Sequence, residues 1–182
     1  MRLVPEDFQV PRRWAAEGFQ LAALAPAFAQ VDFDAVRASA PRIRNVFGLR
    51  NDWPASDLTF EQNCADLARH EEEFNRGVAF AYALLDPEGE SYLGCLYIKP
   101  IKSRLAVDWR KARFQAQAFF WLSDAASGLS AELVLSVLSA WLHQVWPFAA
   151  VAFPGRVQAW PEWEALAFEV PRLDSSQRLD PS

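Results

Sequence analysis

Phe114-Gln115-Ala116-Gln117-Ala118-Phe119-Phe120-Trp121-Leu122, then Ser123 to Gly128, Leu129 to Val145 and Ala149 to Phe153, is the stretch that decides the fold. Its first segment alternates. Arg113, Gln115 and Gln117 fall on one face and Phe114, Ala116 and Ala118 on the other, the period-two pattern of a strand. Ser123 to Gly128 is turn chemistry. Beyond it Leu129, Leu133, Val134, Val137, Leu138, Trp141 and Leu142 cover most of a helix circumference, which predicts a well-buried helix to about Val145. Ala149 to Phe153 is a short apolar strand closed by Pro154-Gly155. Strand, helix and strand make a βαβ unit with parallel strands and a right-handed crossover.

Upstream, Val78 to Leu85 and Tyr92 to Ile98 flank the turn residues Asp86-Pro87-Glu88-Gly89-Glu90 and predict an antiparallel hairpin. Before it, Thr59-Phe60-Glu61-Gln62 fits a capping box, in which Thr59 and Gln62 satisfy the free donors of a helix start. Phe60, Cys64, Leu67 and Phe74 then recur at helical spacing, and Gly77 supplies the stop. Residues 43–55, with Gly48, Asn51 and Pro54, read as a loop. Residues 27–39 read as a helix that ends before Pro41, and Phe19 to Leu24 as a first strand. Downstream, Trp160 to Phe168 reads as a short helix. The order β-α-α-β-β-β-α-β-α predicts an α/β fold of the α+β kind, a central mixed but mostly antiparallel sheet flanked by helices. Residues 1–17 read as an N-terminal arm, 18–170 as one domain and 171–182 as a flexible polar tail.

The chain has 182 residues, which suits one domain. Its net charge of −5 argues against general nucleic-acid binding, which needs Lys and Arg to neutralise phosphates. No apolar run is long enough to span a membrane, and the first residues lack the apolar stretch of a secretory signal. Cys64 and Cys95 form neither a disulfide framework nor a metal spacing, and His70 and His143 are the only histidines, so no metal is expected and a reducing cytoplasm is. Eight Trp and fourteen Phe have to fill a core, line a pocket or cover an interface, a homodimer's included.

Several segments carry a resemblance. Thr59-Phe60-Glu61-Gln62-Asn63 through His70-Glu71-Glu72-Glu73-Phe74, Ala79-Phe80-Ala81-Tyr82, Leu85-Asp86-Pro87-Glu88-Gly89 and Leu93-Gly94-Cys95-Leu96-Tyr97-Ile98 resemble the second helix and central hairpin of a bacterial subgroup of the GNAT N-acetyltransferase superfamily. Gly128-Leu129 at a helix start and Phe153-Pro154-Gly155-Arg156 at a strand end extend the likeness over roughly residues 18–168. The resemblance implies acetyl-CoA as cosubstrate. It places a Q/R-x-x-G-x-G/A turn on Ala125 to Ser130, with Gly128 at the first glycine and Ser130 at the last small position. Leu122, Ser123, Ala125, Ala126, Ser127, Gly128, Leu129 and Ser130 are then the expected cofactor cradle, built from backbone N–H groups and a helix dipole. Ala125 stands where the family has Gln or Arg, and Asp124 and Glu132 flank the turn. Lys99, Lys102, Arg104, Arg110, Lys111 and Arg113 cluster towards the other end of the sheet, as a solvated loop or an interaction patch. A full GNAT domain carries two further strands after its last helix, and few residues remain here for them, so a C-terminally shortened sheet is expected.

Acetyl transfer needs a deprotonated amine and a proton for the departing thiol. Glu71, between Leu67 and Phe74 on its helix, and Tyr97 are the expected catalytic residues. His70, Gln115 and Gln117 are the expected contacts to an amine substrate, a small molecule or a peptide. The last Tyr in the chain is Tyr97, so no phenol follows it to serve the leaving thiolate. No G-x-S-x-G is present, which argues against a serine hydrolase. Two readings remain: an acetyl-CoA-dependent N-acetyltransferase, or a catalytically inactive module of the same fold that binds a ligand or a protein.

Overall fold

The computed structural model describes residues 1–170, and the polar tail expected over 171–182 lies outside the described residues. Six strands form one sheet in chain order: β1 (Arg13–Ala16), β2 (Phe19–Ala23), β3 (Phe80–Leu85), β4 (Tyr92–Lys99), β5 (Ala116–Leu122) and β6 (Val151–Ala152). Neighbours pair antiparallel except β5 and β6, which are parallel. The helices are α1 (Ala29–Ile43), α2 (Phe60–Asn75), the single turn α3 (Arg110–Arg113), α4 (Ala131–Val145) and α5 (Trp160–Ala165). The mixed, mostly antiparallel sheet and the βαβ unit of β5, α4 and β6 are as expected. No strand follows α5 among the described residues, so β6 is an edge there.

Both faces of the sheet are covered, which is why β3 and β4 are buried almost throughout. On one face Val134, Leu138, Trp141 and Leu142 of α4 pack on Phe80, Tyr82, Leu96, Ala118 and Phe120. On the other, Val36 and Ile43 of α1 and Leu67 of α2 pack on Ala81, Ala83, Cys95, Tyr97, Phe119 and Trp121. The aromatic excess fills these two layers rather than an exposed patch. Ring pairs such as Phe74–Phe80 (5.2 Å, 89°) and Tyr82–Trp141 (5.6 Å, 85°) meet edge to face, the arrangement that the ring quadrupole favours.

The capping box is present in full, with the Thr59 N–H donating to Gln62 Oε1 at 2.8 Å and the Gln62 N–H to Thr59 Oγ1 at 3.2 Å. A buried carboxylate binds α1 to the sheet. Asp32 accepts from the Tyr92 hydroxyl at 2.6 Å and from Asn63 Nδ2 at 2.9 Å, so one side chain joins α1, α2 and β4. Burial raises its pKa despite both hydrogen bonds.

The N-terminal stretch differs from expectation. Residues 13–16 form β1, the Leu3 N–H donates to Gly77 O at 2.7 Å, the Tyr82 hydroxyl donates to Pro11 O at 2.6 Å, and Val4 is buried. The segment therefore packs on the core instead of standing off as a loose arm. Helix α1 also runs through Pro41 to Ile43. Helix α4 begins later than expected, at Ala131 with Ser130 as its cap, so Leu129 precedes it.

Between Leu84 and Leu85 the β3–β4 register shifts, leaving Leu93 as an extra residue and Gly94 with a φ of 149°. Leu93 joins the α4 layer and Tyr92 the α1–α2 layer. A Cβ at Gly94 would overlap the carbonyl oxygen of Trp121 on β5. Gly94→Ala is therefore expected to lower stability by about 2 kcal/mol or more through backbone overpacking and strain, read as a drop in the urea midpoint at unchanged m-value.

Candidate active site

Strands β5 and β6 pair over two rungs only, Ala116 with Val151 and Gln117 with Ala152. The next donor on the β6 side is spent elsewhere: the Phe153 N–H bonds to Gln158 Oε1 at 3.0 Å. Pro154 has no N–H to offer. The Gly155 N–H turns back to Gln158 O at 2.7 Å. The chain leaves the sheet at this point, and a cleft of about 470 Å³ opens. Its walls are Phe119 to Leu122 of β5, Pro154 to Arg156, Trp160 of α5, the residues around Ile43 at the end of α1, and Ala131 at the start of α4.

Three arginines line this cleft: Arg42, Arg44 and Arg156. The cations near the turn therefore come from the end of α1 and from the bend after β6, not from the 99–113 cluster. Arg42 pairs with Asp124, which offsets the acid beside the turn. Arg156 lies 4.4 Å over the Phe120 ring and donates to the Phe120 carbonyl at 3.4 Å, so it occupies part of the gap between the strands. Trp160 stacks on Phe119 at 6.3 Å and 14°. Neither arginine group was visible as part of the site in the sequence, because the packing of α1 on β5 brings Arg42 and Arg44 there and the bend after β6 brings Arg156.

The expected cradle residues divide. Leu122 lines the cleft. Ser123 is buried and committed to β4, its hydroxyl donating to Tyr92 O at 2.9 Å and its N–H to Leu93 O at 2.8 Å. Ala126 is buried within a short 3-10 turn that also holds Asp124 and Ala125. Ser127 and Gly128 are exposed, and a Cβ at Gly128 would meet nothing within 4 Å. Leu129 packs on the α4 layer, and the Ser130 hydroxyl accepts from the Leu133 N–H at 3.0 Å. Ser130 is thus a helix cap, and the open donors at this end are the backbone N–H groups of the first turn, which no helix can satisfy internally.

The expected catalytic and substrate residues are not gathered in the cleft. Tyr97 is buried, accepts from Trp121 Nε1 at 3.4 Å, pairs across the strands with Phe119, and does not itself line the cleft. Burial raises its pKa well above the ordinary value. His70 packs on Tyr97, ring centroids 5.4 Å apart, with its Nδ1 3.4 Å from Glu73 Oε2. Burial pushes His70 down to about 3, aided by the charges of Arg69 and Lys99, so the ring is neutral at pH 7 and the Glu73 contact is not an ion pair. Glu71 lies beside the buried stripe of Asn63, Leu67, His70 and Phe74, half-buried and outside the cleft lining. Gln115 holds the segment before β6, its Oε1 accepting from the Ala150 N–H at 2.7 Å. Gln117 donates to Pro100 O at 3.1 Å and lines a different cavity. The cleft lining contains no Asp, Glu or His.

Among solved structures the chain is similar to a candidate GnaT-family acetyltransferase from Bordetella pertussis, at a TM-score of 0.51 and 16% identity over 72% of this chain and 70% of that one. It is similar to the acetyltransferase of Salmonella typhimurium that modifies the N-terminal serine of ribosomal protein L7/L12, at 0.51 and 13% over 71% and 66% of the two chains. It is also similar to the microcin C7 self-immunity acetyltransferase MccE, solved with acetyl-CoA and AMP, at 0.51 and 12% over 71% and 63%. No family model matches the sequence, and no curated protein matches it. The fold is thus GNAT-like in a divergent form. Among the described residues, no helix is long and apolar enough to cross a membrane.

The neutral His70 makes stability depend on pH. Its folded pKa of about 3 lies below the unfolded value of 6.5, so the unfolded chain takes up the proton first as pH falls. Stability should therefore decline from about pH 6.5 towards 3, by an amount on the order of 4 kcal/mol. Replacement His70→Phe keeps the contact with Tyr97 and should flatten that decline in melting temperatures taken between pH 7 and 4.5.

Proposed function

We propose that the chain is an acyl-CoA-dependent N-acetyltransferase, moving an acetyl group from acetyl-CoA to a primary amine of a small molecule or peptide. The observation that carries this reading is the early parting of β5 and β6, which opens a cleft at the start of α4 with arginines on its walls. An extended pantetheine arm needs such a gap and a free strand edge, and a diphosphate needs backbone donors and positive charge. The free edge is Phe119 to Leu122. The donors are the first N–H groups of α4, with Gly128 leaving the approach unobstructed. Arg42 and Arg44 supply charge that Ala125 does not. Arg156 leaves the Phe120 carbonyl when the arm pairs there, and its guanidinium turns to the phosphates.

Bound acetyl-CoA brings the activated thioester. The chain's own contribution is to orient it along β5 and exclude water with Phe119, Trp121 and Trp160. Because no carboxylate or imidazole lines the cleft, the amine is taken up in its neutral form, and the proton it loses on transfer passes to solvent or to the leaving thiolate. The solved complex of MccE with acetyl-CoA supports the choice of cosubstrate, and the modification of a protein N-terminus by the Salmonella protein supports an amine acceptor. A non-catalytic binding module is favoured by one specific observation: Arg156 and Trp160 of the chain itself fill part of the gap.

Acetyl-CoA at millimolar concentration should raise the melting temperature by mass action on the folded state, and release of free thiol with mixed amines should follow. No shift in melting temperature would sink the enzyme reading, and a shift without thiol release would favour the binding module. Ala131→Glu should leave the fold intact, since an acid suits a helix start, yet abolish the acetyl-CoA shift by placing a carboxylate on the cleft wall. Arg44→Ala should weaken binding about tenfold, equivalent to about 1.4 kcal/mol, in isothermal titration.

A further inference from the structure

A second cavity, of about 430 Å³, lies at the opposite end of β5. It is bounded by Met1, the C-terminal half of α2, the segment leading into β3, the end of β4 with Pro100 and Lys102 beyond it, and Gln117. Along the strand, Gln117 is about 17 Å from Leu122 in the cleft, at about 3.3 Å per residue. Arg69, Glu73 and Arg76 recur on one face of α2 and its cap, and Lys99 and Lys102 face them from the end of β4. The cavity lining thus carries Arg69, Arg76, Lys99 and Lys102 against the single carboxylate of Glu73, in a chain whose net charge is −5.

Most other cations around the cavity are paired, and Arg104 and Lys111 do not line it. Arg110 forms a two-point pair with Asp108, at 2.9 and 2.6 Å, and lies over Trp163. Arg113 reaches Glu169 O at 3.2 Å. Arg69 is held by Asp66 at 3.0 Å and Glu73 at 3.3 Å, and Arg76 by Glu72 at 3.2 Å. Lys99 and Lys102 differ. Among the described residues, no carboxylate lies within ion-pair distance of either. Lys99 is also half-buried, its Nζ seated on the rings of Phe47 at 4.5 Å and Tyr97 at 4.9 Å. Burial and the charge of Arg69 both disfavour its ammonium. A desolvated cation without an anion is a cost that the fold carries unless a ligand removes it.

We propose that this cavity is an anion site for a phosphate dianion, free or carried by a small molecule, with Lys99 and Lys102 as its charge partners and Arg69 fixed in place as a further donor. Lysine meets phosphate as a point charge and needs no planar, two-point geometry. The net charge of the lining matches a dianion better than a single carboxylate. The site stands apart from the acetyl-CoA cleft, so it holds or fails independently of the proposed transferase activity.

The test titrates the full chain at low salt with inorganic phosphate and with phenyl phosphate, following melting temperature and heat of binding, with potassium chloride as the ionic-strength control. Saturable submillimolar binding is expected. It should weaken at least tenfold in Lys99→Met and in Lys102→Met, and be kept within about threefold in Lys99→Arg. In phosphate-free buffer Lys99→Met should melt higher than wild type, because it removes a half-buried charge with no carboxylate partner, and added phosphate should close that gap. Tighter binding of phenyl phosphate assigns the site to a phosphomonoester, and tighter binding of inorganic phosphate to the free ion. The proposal is overturned if neither probe saturates by 10 mM, if chloride produces the same shift, or if both Met variants bind as wild type does. Lys102 is exposed, so Lys102→Met decides the matter should Lys99→Met not fold.

Discussion

The Phe153 N–H points to Gln158 Oε1 rather than to β5, and the geometry of the cleft follows from that one hydrogen bond and the proline after it. A parallel ladder continues only while each strand presents donors and acceptors to the other. Phe153 has given its donor to a side chain and Pro154 has none, so pairing stops after Gln117 and Ala152. The next turn of chain, fixed by the Gly155 N–H on Gln158 O, carries Arg156 and Trp160 round to face β5. The backbone of β5 from Phe119 onward is left with an edge that another extended group can use.

Strand β5 is held from its other side as well. Gly94 lets the bulged part of β4 approach the Trp121 carbonyl closely, and the Ser123 hydroxyl and N–H fasten the strand end to Tyr92 and Leu93. Phe119 and Trp121 then point into the α1–α2 layer, where Phe47 meets Tyr97 at 5.0 Å and Phe119 at 5.4 Å. A strand fixed on one edge and free on the other is a rigid support for a ligand, because the ligand need not order it on binding.

Much of the fold was legible because its signals are local. The capping box at Thr59, the turn at Asp86 to Glu90 and the alternation from Arg113 to Ala118 each bias the backbone within a few residues, and the elements formed at or within two residues of the expected places. The misses have causes of a different kind. Arg13–Ala16 is short and only half-buried, so its pattern is weak, and it exists as a strand because β2 pairs with it. Pro41 removes the donor to the Arg37 carbonyl, yet α1 continues two residues past it because Ile43 is buried in the α1–α2 layer, a tertiary contact that local sequence does not show. The site was less legible. The start of α4 was readable as a helix terminus, but Arg42, Arg44 and Arg156 lie far from it in sequence, and nothing local marks them as its neighbours. Gln115 and Ser123 show the reverse difficulty, since polar residues beside a turn invite a binding role and each also has a backbone group to satisfy.

The two ends of β5 treat charge in opposite ways. At the cleft, Arg42 is matched by Asp124 and Arg156 donates to a carbonyl, and both Arg42 and Arg44 are exposed to solvent. At the other end Lys99 sits on aromatic faces that attract it but cannot neutralise it. A cation–π seat offsets only part of the lost hydration of an ammonium group, whereas an anion restores both charge balance and hydrogen bonds. An apolar side chain of similar length would fill the same seat without that cost, so packing alone does not account for a lysine there.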